Sequence, residues 1–290
     1  MTVARTALTV IAAVAVLVVL VRLLEPRLAF FPFRGETTTP RDIGVDYESL
    51  TIETSDGERL RAWHIHPPSP GRIAPGFGEA GSAREHPAPG TRHPLVVYFH
   101  GNGGNLSNWA PIVSAIARQG YSVLAFDYRG YGVSSGRPTE KGLYRDVDAV
   151  VDHVWTRMKP SAPVIYWGRS LGVSVAAYAA TKHAPGGLIL EAGFPDARSL
   201  FRAPSPMAFL ALFSTYRFPA AEYLRGSKIP ALVMHGDADS VIPYQQGRAL
   251  YELIEGPKVF FTINGGDHND ATPQDERGYW QAVHAFVGNL

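Results

Sequence analysis

Short apolar runs and segments with helical spacing alternate over most of the chain. From Leu95 onward, continuous apolar runs of the kind buried in parallel strands are separated by stretches whose apolar residues recur every three or four positions. The predicted strands begin at Leu95, Tyr121, Val164, Gly187, Pro230 and Lys258. Predicted helices follow at 106–116, 143–158 and 171–182, with a closing helix near 279–290. This order predicts an α/β fold, a mostly parallel sheet with helices on both faces.

Two segments nearer the N-terminus alternate polar and apolar residues with a period of two. Residues 47–53 and 60–66 are therefore predicted strands, and Thr54-Ser-Asp-Gly between them supplies hairpin turn chemistry. An antiparallel pair is expected to open the globular domain.

The N-terminus is apolar enough to predict a membrane anchor at 1–27, ahead of a globular domain at 28–290. Residues 6–24 would span about 28 Å as a helix, close to the hydrocarbon thickness of a bilayer. Pro26 is expected to end this helix. A cleaved signal peptide is the competing interpretation, but the apolar run is long and no small-x-small cleavage site follows it. Arginines on both sides give only a small bias toward a cytoplasmic domain, so the membrane side stays open.

Two internal segments depart from the alternation. Residues 68–94 are rich in Pro, Gly, Ala and Ser and predict a flexible insert. Residues 195–228 carry many large apolar side chains, too many for an ordinary exposed loop. This second segment is either a helical crossover or a lid over an acyl-binding pocket, and we favour the lid.

Composition excludes several function classes. Lys+Arg 27 against Asp+Glu 26 leaves a net charge of +1, which offers no strong field for nucleic acid. The chain has 0 Cys, which excludes disulfides, thiolate metal sites and cysteine nucleophiles. The sequence also lacks the zinc-protease, phosphate-loop and dinucleotide motifs, so we expect no metal and no cofactor.

Gly168-Arg-Ser170-Leu-Gly172 fits the nucleophile-elbow pattern. That turn exposes a serine between a strand and a helix, where side chains at the flanking glycine positions would clash. A predicted buried strand precedes the motif and a predicted helix follows it, as the pattern requires. Ser170 is therefore the candidate nucleophile.

A serine hydroxyl needs a base, and the base needs an orienting acid. The loop after the strand at 230–235 offers Asp237 and Asp239, and Asp196 follows the preceding strand. His268 lies in a glycine-rich loop beyond the last predicted strand and is the histidine best placed to reach Ser170. The order serine, acid, histidine agrees with that of α/β-hydrolases, and the three acids stay open at this point.

The glycines of His100-Gly-Asn-Gly-Gly-Asn105 allow backbone N–H groups to approach a substrate without side-chain obstruction. We expect the N–H groups of Asn102 and Leu171 to form an oxyanion hole, in which each donor is typically worth on the order of 10²–10³ in rate.

Taken together, five motifs resemble those of the Bem46-like α/β-hydrolases, which include the eukaryotic α/β-hydrolase domain-containing proteins 12, 13 and 17. The motifs are His100-Gly-Asn-Gly-Gly-Asn, Phe126-Asp-Tyr-Arg-Gly-Tyr-Gly-Val-Ser, Gly168-Arg-Ser-Leu-Gly, His235-Gly-Asp-Ala-Asp-Ser-Val-Ile-Pro and Gly266-Asp-His-Asn. The resemblance covers essentially the whole chain after the anchor. It implies an eight-stranded sheet and a Ser-Asp-His triad whose acid lies three residues after the His-Gly pair, which selects Asp239. It also implies scaffolding roles for Asp127 and Arg129. The departures are the 68–94 insert and Asp267, just before the predicted catalytic histidine.

Relatives of this kind carry N-terminal membrane segments and act on acyl esters or thioesters of lipids and lipidated proteins. We therefore expect a membrane-anchored serine hydrolase with Ser170, Asp239 and His268 as its triad and an acyl ester or thioester as its substrate. Two alternatives stay open: a serine peptidase of prolyl-oligopeptidase type, and a non-catalytic binding protein with a hydrolase fold.

Overall fold

A computed structural model of the chain describes residues 2–68, 93–201, 215–270 and 274–290. Nearly all of the predicted 68–94 insert lies outside the described residues. So does the stretch 202–214 of the candidate lid, and the prediction of a lid therefore stays a prediction.

One mixed sheet organises the described part of the chain. Its eight strands lie in the order β10-β9-β8-β7-β4-β6-β3-β2, and a separate short pair joins β1 to β5. The bounds in chain order are β1 Phe31–Pro32, β2 Tyr47–Glu53, β3 Arg59–Ile65, β4 Leu95–Phe99, β5 Gly103–Gly104, β6 Ser122–Phe126, β7 Val164–Arg169, β8 Gly187–Glu191, β9 Ala231–Gly236 and β10 Lys258–Ile263. The strands from β10 to β6 in that order are parallel, whereas β3 and β2 join antiparallel at one edge.

Helices cover both faces of this sheet. Their bounds are α1 Thr2–Ala29, α2 Leu106–Arg118, α3 Glu140–Asp152, α4 Leu171–Lys182, α5 Ala220–Leu224, α6 Tyr244–Leu253 and α7 Glu276–Val287, with 3₁₀ turns at Pro40–Ile43 and Ala197–Phe201 and a π turn at His153–Met158. Alternate residues of the central strand β4 enter two different cores: Val97 and Phe99 pack with α3 and α4, whereas Val96 and Tyr98 pack with α2 and α7. Burial on both faces explains why its sequence is a continuous apolar run. The predicted fold class is confirmed.

The N-terminal helix α1 is longer than expected. The stretch Arg5–Arg27 has a mean hydropathy of 2.8 and is long and apolar enough to cross a membrane, a test that a signal sequence also passes. The prediction that Pro26 ends the helix is wrong, because α1 continues to Ala29. Contacts with the globular domain stabilise the last turn: Glu25 is buried, and the Asn102 side-chain amide donates to the Ala29 carbonyl at 2.7 Å.

Residues 30–35 are also built into the domain. Phe31 and Pro32 pair in parallel with Gly103 and Gly104, and the Phe33 amide donates to the Gly104 carbonyl at 2.9 Å. The chain thus passes directly from the apolar helix to the glycine loop that follows β4.

Candidate active site

The turn between β7 and α4 holds Ser170 in a conformation that few non-glycine residues adopt. Its φ of 57° and ψ of −120° place it between the end of the strand and the first turn of the helix. The flanking glycines are required by close backbone approach. A Cβ at Gly172 would lie 1.9 Å from the Phe99 carbonyl oxygen, and one at Gly168 would lie 2.3 Å from the Gly172 oxygen. The predicted elbow geometry is therefore present.

Two hydrogen bonds link Ser170, His268 and Asp239 in a line. The His268 Nε2 atom lies 3.0 Å from the Ser170 Oγ, and the His268 Nδ1 atom lies 2.8 Å from the Asp239 Oδ2. Loops after β9 and β10 carry the acid and the histidine, and in a parallel sheet those loops emerge at the same edge as the elbow. All three side chains are largely buried.

The carboxylate of Asp239 is held ionised. Burial would raise its pKa, but hydrogen bonds from His235, His268 and the Ile242 amide together hold the pKa well below its usual range. A second acceptor atom, Oδ1, receives the amides of Val241 at 2.9 Å and Ile242 at 2.7 Å. This side chain is thus fixed with a charged oxygen toward the imidazole, which suits an acid that orients a base and stabilises its cation.

The competing acids bind elsewhere. Asp237 accepts the Gly265 amide at 2.6 Å, which joins the loops after β9 and β10, and Asp196 accepts the Ser199 amide at 2.8 Å within its own turn. The structure brings Asp239, and neither of these two, into hydrogen-bond contact with His268.

The glycine loop after β4 lies beside the serine, since a Cβ at Gly101 would come within 3.4 Å of the Ser170 Cβ. Within the described residues, neither the Asn102 nor the Leu171 backbone N–H donates a hydrogen bond. Leu171 is the first residue of α4, where the helix leaves N–H groups unpaired. Neither amide is thus engaged by another described group, and the assignment of the two as oxyanion donors stays a prediction.

Sequence reasoning missed the role of Arg169, the variable residue of the elbow motif. Its guanidinium donates to the carbonyl of His268 at 3.0 Å and to that of Asp270 at 2.8 Å. It also faces Glu191 at 3.5 Å, and that carboxylate accepts the Trp167 indole at 2.9 Å and the Tyr279 hydroxyl at 3.0 Å. Arg169 thus joins the nucleophile turn to the histidine loop.

Asp267, a departure from the family pattern, makes a similar bridge. Its Oδ1 accepts the amide of Ser240 at 2.7 Å, next to the acid loop. No signal in the sequence marks this contact, because the partner is a backbone N–H group.

Comparison with known proteins decides the family. A family model described as Serine aminopeptidase, S33, matches residues 90–226. The uncharacterized membrane protein YNL320W of Saccharomyces cerevisiae is 32% identical over 262 residues, which are 88% of this chain and 84% of that protein. The chain belongs to the Bem46-like α/β-hydrolases. The resemblance inferred from the five motifs is thereby confirmed.

One further relative and one solved structure are also similar to this chain. Lysophosphatidylserine lipase ABHD12 of Danio rerio is 27% identical over 81% of this chain and 65% of that protein. The esterase Pf2001 of Pyrococcus furiosus has the same fold, with a TM-score of 0.66 and 20% identity over 90% of this chain and 97% of its own. The chain is thus a member of an esterase- and lipase-like α/β-hydrolase family, and its described residues include one apolar N-terminal helix.

Proposed function

We propose that this protein is a membrane-anchored serine hydrolase that cleaves acyl esters or thioesters through Ser170, His268 and Asp239. The observation that carries the proposal is the pair of hydrogen bonds that joins these side chains, at 3.0 Å and 2.8 Å. A serine in an elbow turn, hydrogen-bonded to an imidazole that an ionised carboxylate orients, is an activated nucleophile.

In the proposed mechanism, His268 Nε2 takes the proton of Ser170 as Oγ bonds to the acyl carbon. The carbonyl π electrons move to oxygen, and the Asn102 and Leu171 N–H groups bind the resulting anion. As the tetrahedral intermediate collapses, the imidazolium protonates the departing alcohol or thiol. Water then attacks the acyl-enzyme by the same route, releasing the carboxylic acid and restoring the Ser170 hydroxyl.

The position of the apolar helix supports a lipid substrate. Helix α1 ends at Ala29, whose carbonyl contacts the glycine loop beside Ser170. If α1 crosses a bilayer, the site lies at the membrane surface, within reach of acylglycerols, lysophospholipids or acylated proteins. The relative ABHD12 is itself named for hydrolysis of such a lipid.

Labelling with a fluorophosphonate probe tests the proposal. Wild-type protein is expected to be labelled, and the variants Ser170→Ala and His268→Ala are expected to lose the label. Ser174→Ala is the matched control because it removes a buried serine of the same helix, one turn away. Labelling that persists in Ser170→Ala, or wild type that stays unlabelled with its fold intact, would contradict the proposal.

A peptidase is the second candidate, since the matching family model is named for serine aminopeptidases. The same three residues would serve both reactions. Turnover of a p-nitrophenyl acyl ester, compared with the p-nitroanilide of an amino acid, separates the two. We expect the ester to be hydrolysed and the anilide not.

A further inference from the structure

The end of the apolar helix is tied directly to the predicted oxyanion loop. We infer that residues 25–35 contribute to the active site. They position the Asn102 backbone N–H, in addition to joining the domain to its anchor. This inference rests on the proposed function. Its starting point is the Asn102 side chain, whose amide donates at 2.7 Å to the carbonyl of Ala29, the last residue of α1.

Carbonyls in the last turn of a helix have no partner within the helix, so the Asn102 amide acts as a side-chain cap for α1. The two oxygens of Asn102 are held by a second contact. The Tyr131 hydroxyl lies 3.0 Å from the side-chain oxygen of Asn102 and 2.9 Å from its backbone carbonyl. The backbone N–H of the same residue donates no hydrogen bond within the described residues and is the proposed oxyanion donor. One residue therefore links the helix end to the proposed oxyanion donor.

The strand that follows α1 fixes the rest of the loop. Phe31 and Pro32 pair with Gly103 and Gly104, and the Asn105 side-chain amide donates to the carbonyls of Phe33 at 3.2 Å and Gly35 at 2.9 Å. Glycines impose little conformational preference of their own, so neighbouring contacts must hold the loop in shape. Segment 30–35 supplies those contacts.

The helix itself is held by a buried carboxylate. Glu25 accepts the amide of Thr215 at 2.7 Å, its hydroxyl at 2.6 Å and the amide of Tyr216 at 3.2 Å. Glu140, at the start of α3, accepts the next two amides, those of Arg217 and Phe218, both at 2.7 Å. Hydrogen bonds to charged acceptors are among the stronger ones in proteins. The helix end is therefore clamped to the domain on two sides, at 215–216 and at Asn102.

The variant Asn102→Ala tests this inference, since it keeps the backbone N–H, removes the cap on Ala29 together with the side-chain contact to Tyr131, and adds no charge near the oxyanion. Its matched control is Asn289→Ala, because the Asn289 side chain also donates to a carbonyl near a helix C-terminus, that of Ala285 at 2.8 Å, at the other end of the chain. Full-length proteins in detergent would be assayed with p-nitrophenyl butyrate and with phenylboronic acid, which binds serine hydrolases as a tetrahedral adduct.

For Asn102→Ala we expect kcat to fall about 10- to 100-fold, because an oxyanion donor displaced by a fraction of an ångström loses much of its effect. KM should stay within about twofold, and boronate affinity should fall by about the factor lost in kcat. Loss of structure alone would not weaken the tetrahedral adduct in step with kcat. Asn289→Ala should match the wild type in all three quantities.

A kcat for Asn102→Ala within about twofold of the control would overturn the inference and leave the proposed function standing. Wild type that neither hydrolyses the ester nor takes up the fluorophosphonate would overturn both. Tyr131→Phe provides a second variant should Asn102→Ala fail to fold, because it keeps the buried ring and removes only the hydroxyl that holds Asn102. It should lower kcat and boronate affinity by less than about tenfold, because the cap on Ala29 remains. A larger loss would assign the positioning of Asn102 to Tyr131 instead of residues 25–35 and would count against the inference.

Discussion

At the scale of single residues, Arg169 is the residue outside the proposed triad whose replacement has the most specific predicted effect. It is buried, and its guanidinium both faces Glu191 and donates to the two carbonyls of the histidine loop. Replacing Arg169 by Met leaves the Glu191 carboxylate buried without its partner, and removing one member of such a pair typically costs about 3–5 kcal/mol. We therefore expect a large loss of unfolding free energy in urea, together with a loss of activity.

The double variant Arg169→Met, Glu191→Gln separates stability from positioning. It removes the unpaired charge, so much of the unfolding free energy should return. The loop carbonyls of His268 and Asp270 still lack their donor, so kcat for an ester should stay at least about tenfold below that of the wild type. Glu191→Gln alone is the control. Recovery of kcat along with stability would show that Arg169 matters for folding only.

The contacts of Arg169 could not be predicted from the sequence. Ser170 and His268 could be proposed because each occupies a motif whose spacing implies a strand followed by a turn or loop, whereas Asp239 was selected from three acids by the family resemblance alone. The hydrogen-bond partners of Arg169 are carbonyl groups 99 and 101 positions away. Every residue has such a carbonyl, so this contact leaves no mark in the sequence.

At the scale of elements, Asp127 joins the end of β6 to the start of α2. Its Oδ1 accepts the Leu106 amide at 2.8 Å and lies 3.6 Å from His100 Nε2. Burial raises the pKa of Asp127 to about 7, although the Leu106 N–H lowers it, and burial lowers the pKa of His100 to about 4. The scaffolding role expected for Asp127 agrees with these contacts, which join two elements without touching Ser170.

A raised carboxyl pKa has a defined effect on stability. The unfolded chain loses the Asp127 proton near pH 3.8, whereas the folded protein keeps it to about pH 7. The stability from this group is thus complete below pH 3.8 and is lost as the pH rises to about 7. Relative to Asp127→Asn, the wild-type free energy of unfolding should fall with rising pH by at most about 1.4 kcal/mol per unit.

Urea titrations at several pH values between about 4.5 and 7.5 measure this slope of unfolding free energy against pH. Asp148→Asn, at an exposed position on α3, should follow the wild type; equal slopes for all three proteins would contradict the expectation.

Elements were predictable where the pattern of burial is simple. The strand at 47–53 and the helix at 171–182 have the predicted bounds, and the strands at 95–99 and 258–263 begin at the predicted residues. The short strand at 31–32 was not predicted, since two residues of an aromatic and proline-rich connector carry no period. Helix α6 was missed as well, because only Gly247 and Leu250 are buried on it and so little apolar spacing marks it. The prediction that the helix ends at Pro26 was wrong, because tertiary contacts stabilise the additional residues up to Ala29.

At the scale of the whole molecule, the apolar helix and the hydrolase domain meet at residues 25–35. The side chains of α1 before Glu25 are mostly exposed, which a lipid environment would cover, whereas Glu25 and Phe30 are buried in the domain. Cleavage as a signal peptide near residue 27 would remove Glu25 and the contacts it makes. Because Glu25 and Phe30 are buried in the domain, we predict an uncleaved anchor whose last turn is part of the domain.

Deletion of residues 2–24 tests this prediction, because it removes the apolar helix and keeps Glu25, Ala29 and the strand at 31–32. The full-length protein should stay in the membrane pellet after an alkaline carbonate wash, since a span of this length and hydropathy is held by the whole hydrocarbon core. The shortened protein should be recovered in the supernatant and still react with the fluorophosphonate probe, at a rate within a few-fold of the full chain in detergent.

With a monoacylglycerol embedded in vesicles, the full chain should turn over the lipid faster, because only it is held at the surface. A shortened protein that still sediments with membranes would place the anchoring surface on the domain itself. If intact mass showed that the protein expressed from the full-length sequence had lost its residues up to about 27, the helix would be a leader and the prediction of an anchor would be wrong.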